Sequence, residues 1–275
     1  MRPRTVWAVY FSATHTTETV VKELAASLAA PLDAPVQSLS FTLPGQRESE
    51  MTFSADDLVV FGMPVYAGRL PNLMLPYLRE KVRGNGAGAV PVVVYGNREY
   101  DDALVELRDL LESDGFHTAA AGAFIGEHSF SQVLAAHRPD SVDLARLREF
   151  ARQTGEKVAG LAQWPETAVD LRQEEHQWEY YQPRDREGNP INILKVTPKT
   201  REDLCRQCGL CARLCPMGSI DPADCKSVRG VCIKCCACVK SCPAGAKYFD
   251  DPGYLLHKEI LEQRFARRRE PEWFL

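Results

Sequence analysis

The residues with the clearest chemistry are cysteines, and they are confined to the C-terminal part of the chain. The chain has 275 residues and 10 cysteines, none of which precedes Cys205. Two stretches, Cys205 to Pro216 and Cys232 to Pro243, repeat the same pattern at an offset of 27 positions. In each, two residues separate neighbouring cysteines among the first three, and three residues separate the third cysteine from a fourth, which directly precedes proline. This spacing is typical of [4Fe–4S] ligation, so the duplication predicts two clusters.

The spacing also predicts how the ligands are shared. Three close cysteines can wrap a tight loop around one cluster, whereas the fourth begins a short helix that leads to the other cluster. The proline after it sets the turn and has no N–H group to leave unpaired. We therefore expect two crossed ligand sets, which are Cys205, Cys208, Cys211 and Cys242 for cluster one, and Cys232, Cys235, Cys238 and Cys215 for cluster two.

Zinc is the main alternative for these cysteines. Structural zinc sites usually have two well-separated cysteine pairs without the third cysteine and the Cys-Pro ending, so two full copies favour iron–sulfur clusters. Cys225 and Cys236 are not part of the repeated pattern: Cys236 lies between two predicted ligands, and Cys225 lies in the connecting loop. We interpret them as small buried hydrophobic residues, with a redox role as the alternative. Because the segment is too short to bury a sufficient core, the apo form is expected to be largely unfolded.

The first 165 residues or so alternate strand and helix patterns. Continuous apolar runs predict buried strands, and apolar positions on one helical face predict helices. The predicted strands are 6–11, 37–41, 58–62, 90–95 and 118–125, and the predicted helices are 17–30, 72–83, 103–113 and 141–163. Such alternation indicates an α/β fold with a parallel sheet covered on both faces.

Polar residues follow the first predicted strand, where a parallel sheet places its ligands. They are Ser12, Thr14, His15, Thr16 and Thr17, and they open a helix. Hydroxyl groups and free N–H groups at a helix N-terminus favour a phosphate. No lysine follows, so the segment is not a nucleoside-triphosphate P-loop. An ordinary helix cap is the alternative, although the polar run is longer than a cap needs.

Two more loops are expected at the same edge. The loop after 58–62 contains Pro64, Val65, Tyr66, Ala67 and Gly68, and the loop after 90–95 contains Gly96, Asn97, Arg98, Tyr100 and Asp101. Tyr66 could stack on a flat ring, and Gly68 would let the backbone approach it. The glycine-rich segment 84–88 precedes a strand and is interpreted as a flexible connection, so direct NAD(P)H binding has no support.

With these loops and cysteines, the chain resembles the family of flavodoxin–bacterial ferredoxin fusion proteins of anaerobes. The resemblance is carried by segments 10–17, 64–68, 95–104, 124–129 and 269–274 and by the cysteine repeat. It implies a flavodoxin-like doubly wound parallel sheet that binds FMN, followed by a small α+β bacterial ferredoxin-like domain with two [4Fe–4S] clusters. The expected boundaries are 1–165 for the flavodoxin-like domain, 166–199 for a linker, 200–250 for the ferredoxin domain and 251–275 for a helical tail.

The resemblance also assigns flavin contacts. It implies that Ser12, Thr14, Thr16 and Thr17 hold the FMN phosphate. The segment 64–68 would line one side of the flavin ring, and Gly96, Asn97, Arg98, Tyr100 and Asp101 would line the other. His15 stands where related loops usually have glycine, and its side chain could either crowd the phosphate or bind it as a cation. His128, in the turn after 118–125, is expected near the same edge as a hydrogen-bonded loop residue.

Composition limits the classes of function. The formal net charge is −4, which argues against a broad nucleic-acid-binding surface. No apolar run is long enough for membrane insertion, and the N-terminus has no signal-peptide cleavage site, so a cytoplasmic protein is expected. The favoured function is a carrier that relays electrons between FMN, two clusters and a redox partner protein. The alternatives are a flavin-dependent reductase of a quinone or nitro compound and a non-catalytic iron–sulfur module.

Overall fold

The structure is a computed structural model that describes residues 1–173 and 175–275. A central sheet with helices on both faces precedes a small cysteine-rich module. The strands are β1 (Thr5–Tyr10), β2 (Val36–Ser40), β3 (Met51–Thr52), β4 (Asp57–Pro64), β5 (Val82–Arg83), β6 (Gly88–Tyr95), β7 (His117–Thr118), β8 (Ala121–Ile125), β9 (Lys199–Thr200), β10 (Lys247–Tyr248) and β11 (Glu272–Phe274). The helices are α1 (Thr16–Leu32), α2 (Leu75–Lys81), α3 (Ala103–Ser113), α4 (Ser141–Gly160), α5 (Leu210–Arg213), α6 (Ala237–Lys240) and α7 (Pro252–Arg264), with 3₁₀ turns at Pro44–Arg47 and Asn72–Met74.

The order of strands across the central sheet is β11-β8-β6-β4-β1-β2. The pairings from β2 to β8 are all parallel. Strand β1 lies between β2 and β4, so the chain order reverses beside it. This is the order of flavodoxin-like doubly wound sheets, in which ligands bind at the carboxyl ends of the strands. The predicted fold class is therefore confirmed.

Two hydrophobic cores cover the two faces of the sheet. Helices α1 and α4 cover one face, and their buried side chains include Leu24 and Phe150. Helices α2 and α3 cover the other face, where Leu78 and Leu107 are buried. The central strands β4 and β6 are buried almost throughout, because a parallel sheet between two helical layers has no solvent-facing side.

Two of the predicted elements differ from the observed ones by more than a small shift at one end. The predicted helix 72–83 shortens to α2, because a 3₁₀ turn precedes it and Val82 already has an extended backbone. The predicted strand 118–125 divides into β7 and β8. Its register with β6 changes by one residue between the pairs Ala89–Thr118 and Val92–Gly122, as in a β-bulge.

The C-terminal tail contains the expected helix, α7, and also a strand that the sequence did not predict. Strand β11 joins the edge of the central sheet antiparallel to β8, with Trp273 opposite Gly122. The linker packs on the sheet domain as well. The Tyr181 N–H donates to the Ala67 carbonyl at 2.8 Å, and the Arg98 guanidinium lies 4.3 Å from the centre of the Tyr181 ring. Tail and linker therefore both contact the loops at the sheet's carboxyl edge.

The cysteine-rich module is built from two short helices, α5 and α6, and from the antiparallel pair β9 and β10. The bridge between Ile220 and Val228 is the counterpart of this pair in the first half of the repeat. Within residues 1–173 and 175–275, no helix has both the length and the apolar character needed to cross a bilayer.

Candidate functional site

Cysteines surround two hollows in the cysteine-rich module. One hollow is lined by Cys205, Cys208, Cys211 and Cys242. The other is lined by Cys215, Cys232, Cys235 and Cys238. We call them the cluster-one hollow and the cluster-two hollow. Each brings together three cysteines from one run and the fourth from the other, which is the grouping that the spacing predicts.

The chemistry of these hollows fits iron–sulfur clusters. All ten cysteines are free thiols. A cluster of four irons spreads its ligands around a cube, and four cysteines are spread around each of these hollows.

Peptide N–H groups point at the fourth cysteine of each run. The N–H of Ser219 lies 3.3 Å from the Cys215 sulfur, and the N–H of Ala246 lies 3.3 Å from the Cys242 sulfur. Burial alone would raise the pKa of Cys242, but the N–H donors of Ala246 and its neighbours outweigh burial and lower it. Hydrogen bonds of this kind stabilise a thiolate, which is the form that ligates iron.

The other ligand positions are more apolar. Burial raises the pKa of the Cys238 thiol to about 12. Burial and the neighbouring Cys225 raise the pKa of Cys211 to about 11. Cys225 and Cys236 are buried as expected, and each also lines a hollow, Cys225 that of cluster one and Cys236 that of cluster two. Thiols this weakly acidic become thiolates only when a metal replaces the proton.

A third hollow opens at the carboxyl edge of the central sheet. We call it the edge hollow. Its lining comes from the carboxyl ends of four strands and the loops that follow them, namely Thr14, Thr16 and Thr17 at β1, Pro64, Val65 and Tyr66 at β4, Tyr95 and Gly96 at β6, and Gly126, Glu127, His128 and Ser129 at β8. The hydroxyl-rich loop, the Tyr66 loop and Gly96 thus converge as the sequence predicts.

The start of α1 has the features of an anion site. Thr16 and Thr17 form its first turn, where N–H groups have no partner within the helix. The Ser12 hydroxyl accepts the Glu18 N–H at 3.0 Å, so Ser12 caps the helix and does not line the edge hollow. The threonines beside these free N–H groups fit the phosphate of a nucleotide such as FMN.

His15 is directed away from the edge hollow. It caps α1 in the left-handed conformation with φ of 66°, and its exposed imidazole bonds the Glu18 carboxylate at 2.9 Å. Burial alone would raise the pKa of Glu18, but hydrogen bonds from His15, Lys22 and Tyr10 hold it at about 2. His15 therefore neither crowds the edge hollow nor offers it a cation in this structure.

The remaining predicted flavin residues do not line the edge hollow. The Asn97 side chain is buried and bonds the C-terminal tail. Arg98 pairs with Asp101, and Tyr100 donates to Glu272 of β11 at 2.8 Å. A Cβ atom at Gly68 would collide with the Asp101 carboxylate, and Ala67 uses its carbonyl to bind the linker. The tail and the linker thus contact residues in the loops after β4 and β6 that the sequence assigned to the flavin.

His128 has a larger place in the edge hollow than the sequence suggested. The Phe130 N–H donates to its Nδ1 at 3.1 Å, so the ring carries its proton on Nε2. Burial lowers the pKa of His128 to about 3, which keeps the imidazole neutral. A Cβ atom at Gly96 would lie 2.5 Å from the ring, so glycine is required there. The available signal was the polar turn 126–129 directly after a predicted strand.

The cysteine-rich module contacts residues of the edge hollow. Tyr66 lines the edge hollow, and burial raises its pKa well above the usual value, with a further contribution from the nearby thiols of Cys235, Cys236 and Cys232. Lys240, between two ligands, forms an ion pair with Glu127 of the edge hollow. The two candidate cofactor sites are therefore neighbours.

The docking of the cysteine-rich module involves further contacts. The Arg47 guanidinium donates to the Pro216 carbonyl at 2.6 Å, directly after Cys215. Met217 and Ile233 pack against the core between the sheet and helices α2 and α3. These contacts all involve residues next to cysteines of the cluster-two set. Cys208 of the cluster-one set is exposed.

The comparisons with known proteins are as follows. A family model described as "4Fe-4S binding domain" matches residues 198–221, which include Cys205, Cys208, Cys211 and Cys215. No curated protein matches the chain. Among solved structures, a flavodoxin from the domain Archaea has 14% identity and a TM-score of 0.41, covering 56% of this chain and 99% of its own. Oxidised flavodoxin 2 from Bacillus cereus has 17% identity and a TM-score of 0.40, covering 56% and 99%.

The strand order and the matched cysteine segment define the class of this protein. It has a flavodoxin-like α/β sheet domain, to which a 4Fe–4S binding domain is joined on the C-terminal side. The binding domain supports a role in electron transfer.

Proposed function

We propose that the chain is an electron carrier that joins an FMN site at the edge hollow to two [4Fe–4S] clusters. FMN bound there would supply chemistry in steps of one or two electrons, and each cluster would exchange one electron. The chain would then couple two-electron to one-electron reactions for a redox partner protein. The proposed domains are 1–165 for the flavin and 200–250 for the clusters.

In this proposal, the threonines at the start of α1 bind the phosphate through hydroxyl and N–H groups. Tyr66 and Val65 offer an aromatic and an apolar surface to the ring. His128 contributes an N–H donor, because its other ring nitrogen already accepts a bond from Phe130. The protein's part is to bind and orient the cofactor and to limit the access of water.

The observation that carries the proposal is the position of Tyr66. This residue lines the edge hollow, and its hydroxyl lies close enough to Cys235 and Cys232 for their charges to affect its pKa. Electron transfer needs closely spaced cofactors, and the position of Tyr66 near these cysteines and the Lys240–Glu127 ion pair bring the two sites together. We infer that cluster two is next to the flavin and that cluster one is the terminal cluster.

Anaerobic purification followed by iron, acid-labile sulfide and flavin analysis tests the proposal. We expect about eight irons, about eight sulfides and one FMN per chain, from two [4Fe–4S] clusters and one flavin site. Cys235→Ser should lose about half of the iron. Cys236→Ser is the matched control at the adjacent cysteine and should keep it.

Different results have different meanings. Zinc in place of iron, or an absence of sulfide, would overturn the cluster assignment. Iron and sulfide without FMN would remove the relay and leave an iron–sulfur carrier. Equal iron loss in both cysteine variants would contradict the proposed ligand set.

A further inference from the structure

Lys247 is a buried cation without a carboxylate partner. It is the first residue of β10 and is 4% exposed, and no other lysine in the described part of the chain is buried. Its ammonium donates to the Cys225 carbonyl. The buried arginine, Arg138, by comparison, is paired with Asp143. A buried ammonium without an anion is costly, so the environment of Lys247 calls for a negative charge that the described side chains do not supply.

The position of Lys247 identifies where that charge belongs. Lys247 lines the cluster-one hollow together with Cys205, Cys208, Cys211 and Cys242. A [4Fe–4S] cube with four thiolates carries a net negative charge and would be the missing partner.

The sequence repeat provides an internal comparison. The residue 27 positions before Lys247 is Ile220, which is also 4% exposed and lines the cluster-two hollow. Both residues lie in antiparallel pairs, Lys247 opposite Thr200 and Ile220 opposite Val228. The duplicated fold thus places an ammonium in the wall of one hollow and an alkyl group at the equivalent place in the other.

Two other cations, near cluster two, offset less of a cluster's negative charge. Lys240 is already paired with Glu127. Lys234 donates to the carbonyls of Cys232 and Leu194, but it is only partly buried, so water screens its charge. On the cluster-one side, Cys208 is exposed, and exposure to solvent also favours the more negatively charged reduced state.

We propose that Lys247 makes the two clusters inequivalent by giving cluster one the higher reduction potential. The inference rests on the proposed function, because it requires both clusters to be present. Reduction adds one electron to a cluster and breaks no bond, so a fixed cation beside that cluster favours the reduced form. An electron shared between the clusters would then reside on cluster one, at the exposed end, away from the edge hollow.

An equilibrium redox titration with dithionite, followed by electron paramagnetic resonance, tests this on the full chain. The two clusters of the wild type should be reduced in two separate one-electron steps. Lys247→Met should lower the equilibrium constant of the first, higher-potential step at least tenfold, about 59 mV for one electron. The second step should move less than threefold. Lys247→Arg keeps the charge and should leave both steps within threefold.

Lys226→Met is the matched control, because Lys226 is an exposed lysine of the same module that pairs with Glu202. It should move neither step by more than threefold. Iron loss from Lys247→Met but not from Lys247→Arg would also support the pairing of ammonium and cluster. The inference would be overturned if Lys247→Met keeps its full iron content and its reduction steps do not change. Iron loss from both Lys247 variants would overturn it as well. A wild type without clusters would instead refute the proposed function.

Discussion

Replacement of Asn97 by alanine tests whether this residue holds the C-terminal tail or binds a flavin, as its position in the sequence suggests. The side chain is 2% exposed and takes part in four hydrogen bonds. Its amide donates to the carbonyls of Phe265 at 2.6 Å and Arg267 at 2.9 Å. Its oxygen accepts the Arg269 N–H at 3.1 Å and an Arg138 N–H at 3.2 Å.

The size of the effect follows from these contacts. At roughly 1 kcal/mol per hydrogen bond, the four bonds correspond to about 4 kcal/mol. The φ of Asn97 is 67°, a left-handed conformation that costs alanine about 1 kcal/mol more. We therefore expect Asn97→Ala to lower the free energy of unfolding by about 4–5 kcal/mol. Asn97→Gly loses the same bonds without the strain and should be milder by about 0.5–1 kcal/mol.

Urea denaturation followed by circular dichroism measures the stability of both variants, and hydrogen exchange reports on the tail. Amide protection at Glu272–Phe274 should fall in both, because β11 is attached next to the bonds that are lost. FMN content should stay at the wild-type level. If both variants unfold within 0.5 kcal/mol of the wild type and lose FMN, Asn97 is a flavin residue and the reasoning is wrong.

Three further predictions concern the helix α1 and the clusters. His15→Gly should change the free energy of unfolding by about 0 to +1 kcal/mol, because relief of the left-handed strain outweighs the lost bond to Glu18; a tenfold loss of FMN affinity in a flavin titration would instead show that His15 binds the phosphate. Glu18→Gln should cost about 0.5–1 kcal/mol at pH 7. The folded-state pKa of Glu18 lies at about 2, below its usual 4.5, so this difference should be full above pH 4.5 and vanish as the pH falls towards 2; a difference in urea stability that is constant with pH would contradict the ion-pair account. Removal of iron by a chelator under reducing conditions should abolish hydrogen-exchange protection around α5 and α6 while circular dichroism retains the sheet domain; protection that survives iron loss would show that the module folds without clusters.

Much of the fold was predictable from local pattern. Helix α3 was predicted with its observed bounds, and the apolar runs of β4 and β6 indicated buried parallel strands. These predictions succeeded because helix periodicity and continuous apolar strands are properties of neighbouring residues. Strand β11 was missed, because three residues carry little pattern and their partner β8 lies about 150 positions away in the chain.

The candidate flavin site was only partly predictable. The sequence indicated which loops reach the carboxyl edge, since parallel strands bring their carboxyl ends together. It did not indicate which side chains turn towards the edge hollow. Tyr100 and Asn97 turn towards the tail instead, because Glu272 and the carbonyls of 265–267 offer them partners.

The spacing of the cysteines along the chain by itself determined their grouping. Cysteines three positions apart can close only a tight loop around one hollow, so the fourth cysteine must reach the other hollow. Tertiary structure decided which residues of the module contact the edge hollow and which side chains complete each hollow. Lys247 shows the difference: the sequence places it among several basic residues of its module, and only the packing of β10 against the cluster-one hollow removes it from water. The physical reason is that burial, and with it the strength of a charge, depends on contacts between distant parts of the chain.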